Sequence, residues 1–112
     1  MKRSITLLLA ALAFVAHAQM KVGVVSSATG PTSAVGIPQK NSAALLPKKI
    51  GDLDVEYTVL DDASDSTQTV ALLKKLLVDK VDAIIGPSGS PNSRAALQFC
   101  FWKLTVPRAT VP

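Results

Sequence analysis

The fold of this chain is decided by residues 81–92, which read VDAIIGPSGSPN. A short apolar strand runs into a small loop rich in hydroxyl groups, and Pro91 is suited to the first turn of a helix. This arrangement directs backbone N–H groups and the hydroxyls of Ser88 and Ser90 towards one point beyond the carboxyl end of the strand. The loop therefore favours an anion such as a carboxylate or a phosphate. An ordinary strand-to-helix turn, in which Ser90 caps the helix, is the other interpretation.

The rest of the chain supplies two further strand–helix pairs before this stretch. The sequence predicts a first strand over 20–26 and a helix that opens near Pro38, carries residues 43–46 and ends or kinks at Pro47. It then predicts an edge strand over 54–60 followed by a helix after Asp65, and a strand over 83–85 followed by a helix from Pro91. Strands and helices that alternate in this way, with crossovers of about thirty residues, form right-handed βαβ units. The predicted fold class is α/β, an open parallel sheet with flanking helices.

Three carboxylates, Asp61, Asp62 and Asp65, precede the second helix, and they have two interpretations. As functional groups they could hold a divalent cation or act as acid and base. As structural groups, Asp65 caps the helix together with Gln68, and the other two complement the helix dipole. Since no partner ligands are spaced nearby, the structural interpretation is favoured, and no metal or cofactor is predicted. The helix then carries an apolar stripe at helical spacing: Val70, Leu73, Leu76 and Leu77.

The order of the strands decides where a ligand would bind. Open α/β sheets bind ligands at the carboxyl ends of the strands, where the strand order reverses. If the first strand lies between the second and the third, the loops after Ser26 and Ile85 flank that crevice. The acidic loop at Asp61 then lies on the far side, where it does not repel an anionic ligand.

Residues 1–18 have the composition of a cleaved signal peptide. Lys2 and Arg3 form a positive n-region, an apolar run follows, and Ala-His-Ala at 16–18 forms a cleavage site before Gln19. The apolar run is shorter than the roughly 18–20 residues that a transmembrane helix needs. The sequence therefore predicts a periplasmic product that starts near Gln19 and has no integral membrane segment.

Composition excludes several classes of function. Removal of Lys2 and Arg3 leaves ten basic residues against eight acidic ones, an excess of +2, so no nucleic-acid partner is expected. The only histidine, His17, lies in the predicted signal segment, and Ser90 replaces the last glycine of a G-x-S-x-G nucleophile elbow. No glycine-rich nucleotide motif occurs. No catalytic residue is predicted, and Cys100, the only cysteine, allows no internal disulfide.

Several motifs in order give the chain a family resemblance. They are KVGVV at 21–25, TGP at 29–31, Gly36, the acids at 61–65 and KVDAIIGP at 80–87. Together they resemble the amino-terminal lobe of type I periplasmic solute-binding proteins. Within that family they are most similar to the branched-chain amino-acid binding proteins of ABC importers. The resemblance covers residues 20–97.

The resemblance implies a function without chemistry, in which two α/β lobes close on an amino acid or a related small carboxylate. It implies that Ser88, Gly89 and Ser90 line the ligand carboxylate. It further implies a neighbouring wall over residues 29–36 that includes Thr29, Val35 and Gly36. Some members have a ligand-facing aromatic residue near Val35, which this chain lacks. The implied partners are the small-molecule ligand and, for a full-length protein, the membrane subunits of an ABC transporter.

The resemblance also implies that the chain is truncated, because full members have several hundred residues. Residues 19–97 are then a partial amino-terminal lobe that is not binding-competent alone, in the sense that it binds no amino acid more tightly than about millimolar. Residues 98–112 form an aberrant tail, in which Phe99, Phe101 and Trp102 lie beside Cys100. The alternative is a small exported α/β interaction module that docks through this aromatic tail.

Overall fold

The computed structural model describes residues 19–105, with side chains described up to Cys100. The predicted signal segment, residues 1–18, and residues 106–112 of the predicted tail lie outside the described residues. The alternative of docking through the tail depends mainly on side chains that also lie outside them. Helix α3, the last of the elements given below, runs past Leu97 without interruption, and Phe99 packs against the core.

The described residues form four strands and three helices. They are β1 (Gln19–Ser26), α1 (Ser33–Ala43), β2 (Lys49–Ile50), β3 (Leu53–Asp61), α2 (Ser66–Val78), β4 (Ala83–Ile85) and α3 (Ser90–Thr105). The strands form one sheet in the order β2-β3-β1-β4, and β1 is parallel to both β3 and β4. The predicted fold class, an open α/β sheet with flanking helices, is confirmed. β1 lies between β3 and β4, which is the arrangement in which the loops after Ser26 and Ile85 flank one crevice.

The two faces of β1 carry the core. Because side chains alternate along a strand, Val22 and Val24 lie on one face, where they pack with Ala43 of α1. Val25 lies on the opposite face, against Leu73 and Leu76 of α2 and Ala96 of α3. A strand buried on both faces reads as a continuous apolar run, which is why β1 could be predicted from its sequence.

The prediction for α1 is wrong in its start and its end. The helix begins at Ser33, five residues before Pro38, and ends at Ala43. Proline in a helix removes a backbone hydrogen bond and normally marks a first turn. Pro38 lies inside α1, because the helix is already started by the loop before it. There the Thr32 carbonyl accepts from the N–H groups of Val35 and Gly36, at 3.0 and 3.1 Å.

The second predicted strand is not the edge of the sheet. Two residues, Lys49 and Ile50, pair antiparallel with Asp54 and Leu53 and form β2 outside β3. Gly51 joins the two strands with φ of +59°, a left-handed conformation that suits glycine. A strand of two residues is too short to show a period, so β2 could not be predicted from hydrophobic periodicity.

The cap of α2 forms as predicted, although the capping box is only half formed. Asp65 Oδ1 accepts from the N–H groups of Thr67 (2.7 Å) and Gln68 (3.3 Å). The N–H of Asp65 donates to the Asp62 carbonyl at 2.9 Å rather than to the Gln68 side chain. In the predicted apolar stripe, Leu73 and Leu76 are buried, Val70 is half-buried and Leu77 is exposed. None of the helices in residues 19–105 is long and apolar enough to cross a membrane.

Candidate functional site

The predicted crevice is present at the carboxyl ends of β1 and β4. Val24 and Ile85 are register partners, so the loops that follow these two strands lie side by side. They are joined by a hydrogen bond of 3.4 Å, which the Ser27 N–H donates to Ser88 Oγ. The chain leaves β1 to form β3 on one side and β4 on the other, and this reversal of strand order is where α/β sheets bind ligands.

A groove of about 310 Å³ lies between the ends of β1 and β4 and helix α1. This volume is at the lower end of the range for small-molecule sites, about 300–1,000 Å³. None of the side chains that line the groove is charged. The apolar residues around the groove are Val24, Val25, Ala43, Leu46, Ile85 and Pro87, and the polar ones are Ser26, Gln39, Ser42 and Ser88. The Val25 side chain itself lies on the opposite face of the sheet.

The loop between β4 and α3 approaches β1 closely. Gly86 has φ of +102°, and a Cβ there would collide with the Val25 carbonyl, so only glycine fits. Gly89 is buried, and its carbonyl accepts from the Ser93 N–H at 2.7 Å at the start of the helix. Gly89 rather than Ser90 therefore precedes the helix, and Ser90 is its first, exposed residue. Pro91 has no N–H and the Ser93 N–H donates to Gly89, so Ser90 and Asn92 carry the N–H groups of the first turn of α3 that have no intrahelical acceptor.

The three residues predicted to form the neighbouring wall of the site, Thr29, Val35 and Gly36, have different surroundings in the structure. Gly36 is buried, and a Cβ there would collide with the Ser27 carbonyl, so α1 packs directly on the loop after β1. Val35 is 55% exposed. Thr29 lies on the β3 side of β1, where its hydroxyl donates to Asp61 Oδ2 at 2.8 Å. Of the predicted site residues, the structure thus brings Ser88 to the groove and places Thr29 beside a carboxylate.

The acidic loop is therefore closer to the predicted wall than expected. It does lie across β1 from β4, but it contacts Thr29. Burial raises the pKa of Asp61, and hydrogen bonds from the Ala63 N–H and from the hydroxyl and N–H of Thr29 outweigh this and hold the pKa below its usual value. At neutral pH the carboxylate is ionised, which disfavours an anionic group next to Thr29. An anion is better placed at the Ser88 end of the crevice.

A buried polar network behind the crevice was not predicted. Asp62 is fully buried and accepts four hydrogen bonds. Its Oδ1 accepts from the Ser27 hydroxyl (2.7 Å) and the Ser64 N–H (3.0 Å). Its Oδ2 accepts from the Thr69 hydroxyl (2.8 Å) and the Asn92 amide (2.7 Å). The network ties the loop after β1 to the β3–α2 loop, α2 and the start of α3, and so fixes the two crevice loops relative to each other.

The same carboxylates explain the shape of the β3–α2 loop. Ala63 and Ser64 have φ of 53° and 61°, which is unusual for residues other than glycine. The Ala63 N–H donates to Asp61 Oδ1 at 2.9 Å, and the Ser64 N–H donates to Asp62, which stabilises these conformations. Within residues 19–105, no group of three or more His, Cys, Asp or Glu side chains is placed to hold a metal ion.

Comparison with known proteins identifies similar chains. A family model described as "Periplasmic binding protein" matches residues 19–100. The Leu/Ile/Val-binding protein BraC3 of Rhizobium johnstonii is 35% identical over 88 residues, covering 71% of this chain and 24% of that protein. This chain therefore spans about a quarter of the length of that relative.

Two solved structures are similar to the described fold. An extracellular ligand-binding receptor from Rhodopseudomonas palustris HaA2 is 43% identical to this chain, with a TM-score of 0.71. The match covers 74% of this chain and 23% of the receptor chain. A solute-binding protein of an ABC transporter from Rhodopseudomonas palustris BisB5, in complex with 3,4-dihydroxybenzoic acid, is 28% identical. The match has a TM-score of 0.65 and covers 73% of this chain and 24% of the chain of that protein.

Proposed function

Because this chain belongs to the periplasmic binding protein family, we propose that it forms part of the solute-binding component of an ABC importer. Its ligand is a branched-chain amino acid or a related small carboxylate. Proteins of this family are transport components and not enzymes. The observation that carries the proposal is the crevice at the reversal of strand order, where Ser88 lines an uncharged groove and lies two residues before the start of α3.

The ligand class follows from the chemistry of the crevice. Two similar proteins bind leucine, isoleucine and valine in one case and 3,4-dihydroxybenzoic acid in the other, and these ligands share a carboxylate on a small apolar body. The Ser88 hydroxyl and the N–H groups at the start of α3 can donate to such a carboxylate, and the helix dipole favours its charge. Val24, Leu46 and Ile85 supply the apolar contact for the body of the ligand.

We further propose that the protein works in the periplasm after removal of residues 1–18, and that its partners are the membrane subunits of the transporter. We assign residues 19–97 to one lobe of the solute-binding domain, and we assign the six residues predicted from the sequence to its ligand site. Ser88, Gly89 and Ser90 contact the carboxylate in this proposal. Thr29, Val35 and Gly36 form or support the neighbouring wall.

Saturation-transfer NMR with the purified protein tests the proposal. The described residues supply one wall of the crevice, so we expect leucine to bind with a Kd of about a millimolar, roughly −4 kcal/mol. Leucinol has the same side chain and amine but no carboxylate, and we expect it to give no saturation transfer. Equal signals from leucine and leucinol would refute recognition of the carboxylate.

A pair of serine variants locates the contact. Ser90 and Ser66 are the first residues of α3 and α2, so Ser90→Ala and Ser66→Ala make the same change at the starts of two helices. Removal of a hydroxyl that donates to a charged group costs about 1–3 kcal/mol. We therefore expect Ser90→Ala to abolish the millimolar signal and Ser66→Ala to leave it unchanged. The same signal in both variants would exclude Ser90 as a ligand contact.

A further inference from the structure

Two adjacent serines lie at the end of β1, Ser26 as its last residue and Ser27 as the first residue of the loop that follows, and their hydroxyls have different surroundings. Ser26 is 1% exposed and Ser27 is 0% exposed. Because side chains alternate across a strand, the two hydroxyls lie on opposite faces of the sheet. The Ser27 hydroxyl donates to Asp62 Oδ1 at 2.7 Å. Ser26 Oγ, although buried, has no hydrogen-bond partner among the described residues.

The Ser26 side chain lies on the α1 face of the sheet, in phase with Val22 and Val24. It lines the uncharged groove between α1 and the ends of β1 and β4. Two other serines line the same groove, and both are partnered: the Ser42 hydroxyl donates to the Pro38 carbonyl at 2.8 Å, and Ser88 Oγ accepts from the Ser27 N–H. Ser26 is therefore the hydroxyl in this groove that has its full hydrogen-bonding capacity left.

A buried hydroxyl without a partner is unfavourable. It loses hydrogen bonds to water on folding, at a cost of about 1–3 kcal/mol when nothing replaces them. Alanine would fill nearly the same space on this strand without that cost. In folded proteins such groups are rare, because most buried polar side chains are hydrogen-bonded to protein atoms or to an ordered molecule. The groove that Ser26 lines has the volume of a small-molecule site, so a bound ligand could supply the missing partner.

We propose that Ser26 determines specificity in the crevice by hydrogen bonding to a polar substituent on the apolar body of the ligand. The inference rests on the proposed function, in which Ser88 and the start of α3 hold the carboxylate. It narrows the ligand to small carboxylates that carry a second polar group, such as a hydroxyl. A site with a buried donor discriminates against an analogue that lacks the matching group, because the donor is then left unpaired.

The test compares 3,4-dihydroxybenzoate with benzoate, which differ only in the two hydroxyls. The Kd of each is measured by ¹H–¹⁵N correlation spectra of the labelled protein. We expect dihydroxybenzoate to bind about tenfold more tightly than benzoate, the usual scale for one matched hydrogen bond. Ser26→Ala should reduce this ratio to about one by weakening dihydroxybenzoate alone. Ser42→Ala, the matched control in the same groove, should leave the ratio unchanged because that hydroxyl is already bonded to Pro38.

The outcomes separate the inference from the proposed function. If neither 3,4-dihydroxybenzoate nor benzoate shifts the amide signals of residues 86–90, the proposed function fails. If both shift these signals and Ser26→Ala leaves the ratio of the two Kd values intact, the inference alone fails. Ser26→Cys provides a second variant of similar size with a weak donor, and it should lower the ratio in the same way. Equal weakening of both ligands by Ser26→Ala would also overturn the inference, since the hydroxyl would then contact the carboxylate.

Discussion

The Asp62→Asn substitution tests whether the buried network fixes the crevice. Asp62 is fully buried at the point where β1, α2 and α3 meet, and both of its oxygens accept two hydrogen bonds. Asparagine has the same shape but replaces one acceptor oxygen by an NH₂ group. The substitution therefore changes hydrogen bonding at this position and creates no cavity.

The size of the effect follows from the four donors. The hydroxyls of Ser27 and Thr69 can rotate and accept from the introduced NH₂ group. The Ser64 N–H and the Asn92 NH₂ group are donors, and they face different oxygens of Asp62. Whichever oxygen is replaced, one of these two donors loses its acceptor, at about 1.5–3 kcal/mol for a bond to a charged group. Removal of the buried charge relieves some desolvation, so we expect a loss of about 2 kcal/mol in the free energy of unfolding.

Urea unfolding followed by far-ultraviolet circular dichroism measures this loss. For a small domain with a slope of about 1 kcal/mol per molar urea, the midpoint should fall by about 2 M. Asp65→Asn is the matched control, because asparagine caps a helix as well as aspartate does. Its midpoint should stay within about 0.5 M of the unchanged protein. Equal shifts for the two variants, or no shift for Asp62→Asn, would refute the role given to the network.

Three further predictions concern packing, acid and export. Gly36→Ala should destabilise the fold by about 1–3 kcal/mol in the same urea assay, because the added Cβ collides with the Ser27 carbonyl; unchanged stability would refute that contact. The lowered pKa of Asp61 stabilises the fold above its unfolded pKa near 4, and this stabilisation is lost as the pH falls through the folded pKa. Asp61→Asn should therefore flatten the decline of the urea midpoint below about pH 4, whereas an identical acid profile would contradict the prediction. For export, the intact mass of the periplasmic protein should begin at or next to Gln19, and an uncleaved, membrane-retained chain would contradict the signal peptide.

The strands could be predicted where burial leaves a pattern in the sequence. β1 is covered by helices on both faces, so its sequence is an almost continuous run of apolar residues. Asp65 predicts the start of α2 because its carboxylate can accept from the first N–H groups of a helix. α1 could not be placed, because Pro38 marks a helix start in sequence terms and is tolerated inside this helix. The close packing of Gly36 on the loop after β1 is a tertiary contact that no local pattern encodes.

The position of the candidate site could be predicted, and its supporting contacts could not. The order of strand, loop and helix at 81–92 places Ser88 at the carboxyl end of β4, which is where the structure has it. Asp62 and Asn92 are 30 residues apart, and nothing local to either residue indicates that they meet. Ser26 and Ser27 look alike in the sequence. Which of them faces the groove depends on the face that α1 covers.

The central claim is that the crevice between β1 and β4 binds a small carboxylate. Mapping of amide chemical shifts during a titration of the labelled protein with leucine tests it most directly, since it locates the ligand as well as detecting it. We predict shifts in residues 26–28 and 86–90, with a Kd of about a millimolar, and none in the loop 61–64. No shifts in residues 86–90 at concentrations about tenfold above that value, or shifts centred on the acidic loop, would contradict the claim.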